Sequence, residues 1–382
     1  MSSKTISIVK ETRFQETRIV LLPHDLGMFI DSGYEIFVET NAGAQIGYFD
    51  EEYVNAGASI VSREEAWGYS NYIPKLLCIT ENELQYLRKD MHLSAFFYAG
   101  ENYHLIQKMC SSEINAYSYE YFEDDCGRFP MMVADGWISG RLALLNAAFY
   151  LQSTFGGSGI VLGGMHQSQQ SKVVVIGHGN VGKSAARTAL SLGAEVTVAG
   201  RSHESLKRFA NQHPAMDCVL VSDQEFKQVV LEADIVVGAI LISTYDTPAM
   251  LTEYMVRKMK RGSVIVDVTC GYGKGYMPTA DKITMPGVGP YERHGVLHLK
   301  NPRFPAMAPL SAVQNASQLY APYLLALGEM IFDEAKQDIV SRNGQILKKG
   351  AVVHPHVLSD FSKIESRDYE NYELSDHLID VA

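Results

Sequence analysis

Hydrophobic positions along this chain follow two periods that take turns, one of two residues and one near 3.6. Residues 5–9 and 35–39 alternate as strands do, and 23–31 reads as a short helix opened by a proline. A glycine-containing loop at 43–47 precedes a helix at 50–56. Continuous apolar runs at 73–79 and 93–98 predict buried strands, with a helix at 81–88 between them and a further strand at 113–117. Residues 137–154 form a long apolar-patterned helix that Gly156, Gly157 and Gly159 end. Strands follow at 172–176, 195–199, 218–221, 234–240, 263–269 and 295–299, with helices between most of them. A second long helix is predicted at 311–337, returning to the first domain. The polar tail from about Asn343 either docks on that domain or is loosely ordered. Strands alternating with helices predict an α/β fold with parallel sheets.

The densest signal sits where the 172–176 strand stops. Gly177, Gly179 and Gly182 form G-x-G-x-x-G, followed by a helix at 181–192 and a second strand at 195–199. This is the setting of a dinucleotide site: the first glycine turns the chain, the second lets backbone approach a pyrophosphate, and the third lets helix and strand pack closely. The helix start offers free N–H groups to the phosphates. Gly177, His178, Gly179, Asn180, Val181 and Gly182 are therefore the predicted cofactor turn, and Ala239, Ile240 and Val268, at later strand ends, its nicotinamide side. An NAD site places Asp or Glu at the second strand's end, about 20 residues on, to hold the ribose 2′-hydroxyl. Here the run is Val198-Ala199-Gly200-Arg201-Ser202, without the acid. A guanidinium forks onto a phosphate that a carboxylate would repel. Arg201 and Ser202 thus predict a 2′-phosphate site and NADP(H) in preference to NAD(H), with His203 and Lys207 as outer helpers. The plainer alternative is a solvated arginine in a turn.

Composition narrows the partners. At 382 residues two domains are expected, and 46% hydrophobic with 20% charged residues is ordinary for a globular chain. A formal net charge of −11 argues against nucleic acid or anionic membrane as the main partner. No run reaches the about 18 apolar residues of a membrane span, and the N-terminus lacks a signal peptide's apolar core. The five cysteines are odd in number and form no C-x-x-C, which fits reduced thiols in a cytoplasm. No metal site is expected; His354 and His356 read as a surface loop.

Several segments resemble the alanine dehydrogenase and transhydrogenase family. They are VKETRFQETRIVLLP, GYEIFVETNAGAQIGYFDEEYVNAGA, the Tyr119-Glu120 pair, SGRLALLNAAFYL, GSVIVDV and NASQLYAPYLLAL, in the family's order. The resemblance implies two Rossmann-like, doubly wound domains. A nucleotide domain (139–307) would be inserted into a discontinuous catalytic domain (1–138 and 308–382), with the active site in the cleft and assembly as a homo-oligomer. Three places depart from the pattern. The family's catalytic lysine in K-V-K-E-P falls on Lys75 or, with a gap, on Leu77. Its histidine in His-Leu-Ala falls on Tyr98. Its second aspartate in V-D-V-A-I-D-Q-G-G falls on Gly271. These departures point away from ordinary alanine dehydrogenase chemistry. The carboxyethylornithine synthase branch, which condenses pyruvate with an amino-acid amine and reduces the imine with NADPH, is similar at SREEAW, at Lys75-Leu76 and in lacking the strand-end acid. Saccharopine-forming dehydrogenases share its logic.

The resemblance makes Arg18 the anchor for a substrate carboxylate, a role its bidentate guanidinium suits; the alternative is a surface arginine paired with Glu11 or Glu16. Lys75, in an apolar run, would bind the carbonyl or carboxylate of a 2-oxo acid, with burial lowering its pKa; the alternative is a snorkelling lysine. Tyr98 would donate a proton if a cation such as Lys75 stood nearby, or else is a core tyrosine. Glu120 would orient the lysine or form a structural pair, and Asp267 is read as structural. A preformed iminium needs less acid help than a carbonyl, so the lost histidine favours NADP(H)-dependent imine reduction on amino-acid and 2-oxo-acid substrates. An alanine dehydrogenase-like enzyme with reassigned acid–base groups and a non-catalytic NADP(H)-binding sensor are the alternatives.

Overall fold

The computed structural model describes residues 3–100, 102–165, 170–240, 248–269, 275–285, 287–333 and 335–365. The position of Gly271 therefore lies outside the described residues. The chain divides into two compact units, one from Met1–Ala134 with Ala308–Ala382 and one from Asp135–Met307. In chain order the strands are β1 (Lys4–Ile8), β2 (Tyr34–Glu39), β3 (Ser59–Val61), β4 (Tyr72–Leu77), β5 (His92–Phe96) and β6 (Asn115–Ser118). Then come β7 (Lys172–Ile176), β8 (Glu195–Gly200), β9 (Asp217–Leu220), β10 (Ile235–Gly238), β11 (Val264–Asp267), β12 (Tyr291–Arg293) and β13 (Val296–Lys300). A final pair, β14 (Gln345–Lys348) and β15 (Ala351–Val352), closes the series.

The first unit holds an eight-stranded sheet ordered β15-β14-β6-β5-β4-β1-β2-β3. Its centre is parallel and buried on both faces: all six residues of β4 are buried, which is why that strand reads as a continuous apolar run. One core cluster gathers Ile6, Ile8, Val38 and Tyr72 with Tyr320, Leu324 and Leu327 of the long helix Pro309–Phe332. A second gathers Trp67, Ile73, Leu93 and Ile106 with Val357 and Phe361. Parallel pairing is not complete, however. Strand β14 runs antiparallel to β6 and to β15, so the polar tail continues the sheet as a hairpin, and its last described piece is a helix, Pro355–Glu365. Ile346 and Leu347 of β14 are fully buried in the second core cluster, and of the pair only β15 stands at the sheet's edge.

The second unit holds a seven-stranded sheet ordered β12-β13-β11-β10-β7-β8-β9, parallel except for β12. Val173, Val175, Ile235 and Val237 face one core cluster, and Val174, Ile176 and Val236 face the other. Strict alternation along β-branched strands sorts them between the two layers of a doubly wound sheet. Helix Met132–Tyr150 packs against helix Asn180–Ser191 at unusually close range. A Cβ on Gly140 would lie 2.1 Å from the Val181 carbonyl oxygen, and one on Gly136 would lie 2.8 Å from Asn180 Cβ. Two glycines one turn apart remove the side chains that would hold these helices apart, and the Ser184 hydroxyl donates to the Trp137 carbonyl across the contact at 2.5 Å. Among the described residues no helix is long and apolar enough to cross a membrane.

Other sequence expectations shift at the edges. The helix expected at 81–88 is a 3-10 helix, Glu81–Tyr86, and the strand expected at 93–98 stops at Phe96. Tyr98 then takes a left-handed φ of 44°, which no strand residue adopts. His354 lies half-buried in the short loop before the last described helix, stacked on Tyr121 with ring centroids 4.1 Å apart, and His356 is exposed.

Candidate functional site

Strand β4 carries Lys75 in an irregular stretch. Pro74 brings no N–H to the ladder, and the register with β5 shifts between Pro74 and Leu77. The displaced N–H of Leu76 donates to the Glu11 carboxylate at 2.7 Å instead. Lys75 is fully buried, and its Nζ lies 3.0 Å from Glu83 and 3.3 Å from Glu11. Burial pulls the Lys75 pKa down, but the two carboxylates outweigh it and the net shift is upward. This corrects the expectation of a lowered pKa: Lys75 is held as an ammonium. Glu11 is also pushed up, above the usual carboxylate range, chiefly by burial and against the pull of Lys75. Glu83 and Glu16 push it further up.

Sequence reading missed both partners, although one left a signal. Thr80-Glu81-Asn82-Glu83 is a capping box. One Glu83 oxygen accepts from the Thr80 N–H at 2.8 Å, which fixes the side chain and leaves the other oxygen for Lys75. Glu11 is separated from Lys75 by sixty-odd residues and had only its place in the VKET run to mark it.

Arg18 is buried, not a surface arginine. Its Nε and Nη2 fork onto the two Glu16 oxygens at 2.9 and 2.8 Å, and its own backbone N–H donates to the same carboxylate at 3.0 Å. Glu120 does not pair with Lys75. Its carboxylate accepts from the backbone N–H of Tyr98 at 2.6 Å and of Phe97 at 3.3 Å, which stabilises the left-handed turn at Tyr98. Burial raises the Glu120 pKa against the pull of these bonds. The Tyr98 ring stacks on Phe96 at 5.8 Å.

In the second unit the glycine turn has the form a dinucleotide requires. Gly177 has φ 106°, and a Cβ there would lie 2.5 Å from the Ala239 carbonyl oxygen. A Cβ on Gly182 would lie 2.0 Å from the Gly177 carbonyl oxygen, so both positions exclude a side chain. Gly179 has nothing within 4 Å of its missing Cβ, so its backbone borders open space. It is the N-cap of helix Asn180–Ser191 and supplies no side-chain cap, leaving the first-turn N–H groups of Asn180, Val181 and Gly182 for an anion. Ala239 and Ile240 follow β10 directly, and the Val268 N–H donates to Gly238 at 3.0 Å, so these residues do meet at adjacent strand ends. Beneath them the Thr269 hydroxyl donates to the Ile240 carbonyl at 2.9 Å, and Asp267 accepts from the Thr269 N–H and the Tyr276 hydroxyl. Lys300 lies 3.6 Å from Asp267, whose pKa burial raises. Asp267 thus sits in a buried network below the strand ends.

At the end of β8, Arg201 is exposed, as are His203 and Lys207. Ser202 caps helix His203–Gln212, its hydroxyl accepting from the Ser205 N–H at 3.3 Å. No group of three or more metal-ligating side chains occurs among the described residues.

Residues 7–134 match the family model for the alanine dehydrogenase/PNT N-terminal domain, and 143–356 match that for the alanine dehydrogenase/PNT C-terminal domain. Alanine dehydrogenase of Staphylococcus epidermidis is 32% identical over 332 residues, covering 86% of this chain and 89% of that protein. Alanine dehydrogenase of Bacillus subtilis is 31% identical over 358 residues, covering 93% and 94%. A solved L-alanine dehydrogenase superposes with a TM-score of 0.86 at 29% identity, covering 94% of this chain and 99% of that one. A transhydrogenase from Sinorhizobium meliloti superposes at 0.75 with 20% identity, over 91% and 100%, and speaks for the fold alone.

Proposed function

Since the chain belongs to the alanine dehydrogenase/PNT family, we propose that it is an NADP(H)-dependent oxidoreductase reducing an imine formed from a 2-oxo acid and an amine. The coarser statement, an oxidoreductase acting on the C–N bond of an amino acid, follows from the family itself. The observation that carries the finer reading is the Lys75 ammonium, fixed between Glu11 and Glu83 in the unit that also fixes Arg18 on Glu16.

The Gly177–Gly182 turn would hold a nicotinamide cofactor, whose chemistry would be hydride donation to a C=N carbon. The chain's own residues supply the rest. Arg18 grips a carboxylate in the orientation Glu16 sets. Lys75, kept protonated, donates a hydrogen bond to the oxo acid and is not a base at neutral pH. Tyr98 stands where the family's histidine falls, and a phenol is a weaker acid than an imidazolium. An iminium tolerates such weak acid help, whereas deamination needs a base to activate water. The exposed Arg201, with no acid at Gly200, supports a 2′-phosphate and hence NADP(H). A homo-oligomer is part of the same proposal.

Consumption of NADPH with pyruvate tests it, comparing ammonia with a panel of amino acids and weighing the products. A condensed adduct formed only with an organic amine supports the reading. Turnover with ammonia alone replaces it with an alanine dehydrogenase-like reaction, the reading that the 32% identity to such an enzyme favours. Arg201→Ala is expected to weaken NADPH at least about tenfold more than NADH, the size of one lost charge-assisted contact. Equal losses would count against the 2′-phosphate site.

A further inference from the structure

The sequence leaves the end of β8 without its ribose-binding acid, and the structure shows what fills the space. A Cβ on Gly200 would lie 3.1 Å from Leu206 Cδ1, 3.2 Å from His178 Cε1 and 3.3 Å from His178 Nδ1. The imidazole of the cofactor turn is thus the polar group against the place where an acidic side chain would leave the strand, with Leu206 as its apolar neighbour. Its position is fixed from the other side: Nε2 lies 3.1 Å from the Ser205 hydroxyl, and the ring meets Phe209 edge-on at 5.6 Å.

The hydrogen bonds select the tautomer. The single hydroxyl proton of Ser205 goes to the Ser202 carbonyl at 3.2 Å, so its oxygen accepts from His178 Nε2–H. Nδ1 then carries a lone pair when the ring is neutral and a proton when it is charged. We propose that His178 Nδ1 reads the ribose 2′ position in place of the missing carboxylate. The neutral ring accepts from the 2′-hydroxyl of NAD(H), and the protonated ring donates to the 2′-phosphate of NADP(H). The proposal rests on the glycine turn being the cofactor site, and it deepens the NADP(H) assignment by making the preference depend on protonation.

The surroundings agree. Partial burial, then the charge of Lys183 on the following helix, hold His178 below the ordinary histidine pKa. From the other packed helix the neighbours Ser205, Leu206 and Phe209 are neutral, and its charged residues His203, Glu204, Lys207 and Arg208 occupy exposed positions. Arg201 is exposed at the strand end, and His213 lies beyond Phe209, with ring centroids 4.5 Å apart. A neutral ring at pH 7 is thus poised to accept, and a dianionic ligand would draw a proton onto it.

Dissociation constants for NADPH and NADH, measured by nucleotide fluorescence between pH 6 and 8 on the full chain, test this. The wild-type ratio of NADH to NADPH constants is expected to rise at least about fivefold as pH falls, since a linked proton changes affinity up to tenfold per pH unit. NADH alone should bind more weakly at pH 6 than at pH 8. In His178→Gln, and in His178→Asn as a second variant, the NADH dependence should vanish and that of the ratio should shrink to the 2′-phosphate's own titration. An equal pH response in wild type and variants, or none in wild type, overturns the inference. Arg201→Ala separates the two readings. If it weakens both cofactors equally the 2′-phosphate site falls, while the pH response of NADH still decides the role of His178.

Discussion

A lysine with no solvent exposure is costly unless its charge is met, and Lys75 is met twice. Removing one side of a buried pair leaves the other uncompensated, at about 3–5 kcal/mol. Glu83→Ala removes both a Lys75 partner and a helix cap, so it is expected to lower stability by about that amount; chemical denaturation checks it. Glu11→Gln should cost less, because Glu83 still pairs with Lys75 and the amide oxygen can still accept from the Leu76 N–H. Lys75→Ala strands two buried carboxylates and is expected to lower stability by a similar amount, so turnover is compared per folded molecule; it should fall at least about 100-fold if the ammonium polarises substrate. Turnover unchanged from wild type in steady-state kinetics would remove Lys75 from the mechanism. The sequence made Lys75 visible because a lone charge in an apolar run stands out. It hid Glu11 because a contact between distant segments leaves no period. Glu120 misled for a related reason: its partners are backbone N–H groups, to which a sequence gives no address.

Elements with strong periodicity were legible almost to the residue. Strand β7 has the bounds expected, and β8 extends one residue further. The β14–β15 hairpin was not legible, because its strands are only four and two residues long and their apolar residues lie inside a mainly polar tail. The glycine turn separates two roles that sequence alone merges. Gly140 and Gly179 are both small residues in or beside helices, but only the first has backbone against it. Gly140→Ala should cost about 3 kcal/mol by overpacking. Gly179→Ala should leave stability unchanged, since its φ of −72° suits alanine, yet weaken cofactor binding by intruding on the open side. Thermal melts with and without NADPH distinguish the two; the reverse pattern would place the nucleotide elsewhere.

For the whole molecule, acid is the expected weakness. His92 in the first unit and His298 in the second are both pushed down to about 4, chiefly by burial. In the folded chain His298 donates to the Val296 carbonyl and accepts from Thr279, so it is bound neutral. The unfolded chain takes up protons near pH 6.5 while the folded one resists until about 4. The stability held by neutral histidine is therefore complete above pH 6.5 and is lost as pH falls through that window. For His298 the shift corresponds to about 3 kcal/mol. Urea midpoints at pH 7 and pH 5 should differ accordingly, and His298→Gln should flatten the difference. A slope unaltered by that change would assign the acid sensitivity to other groups.

The discontinuity of the first unit also sets an order of events at the ribosome. Residues 135–307 are contiguous, so their sheet has all its strands once Lys300 has emerged. The other sheet has six strands by Ser118 but must wait for the helix Pro309–Phe332 to cover one face and for Gln345–Lys348 to cover the edge of β6. For the time taken to synthesise more than two hundred further residues, β6 is an unpaired edge on a nascent chain. Chaperone dependence during translation should therefore fall on the half that was made first.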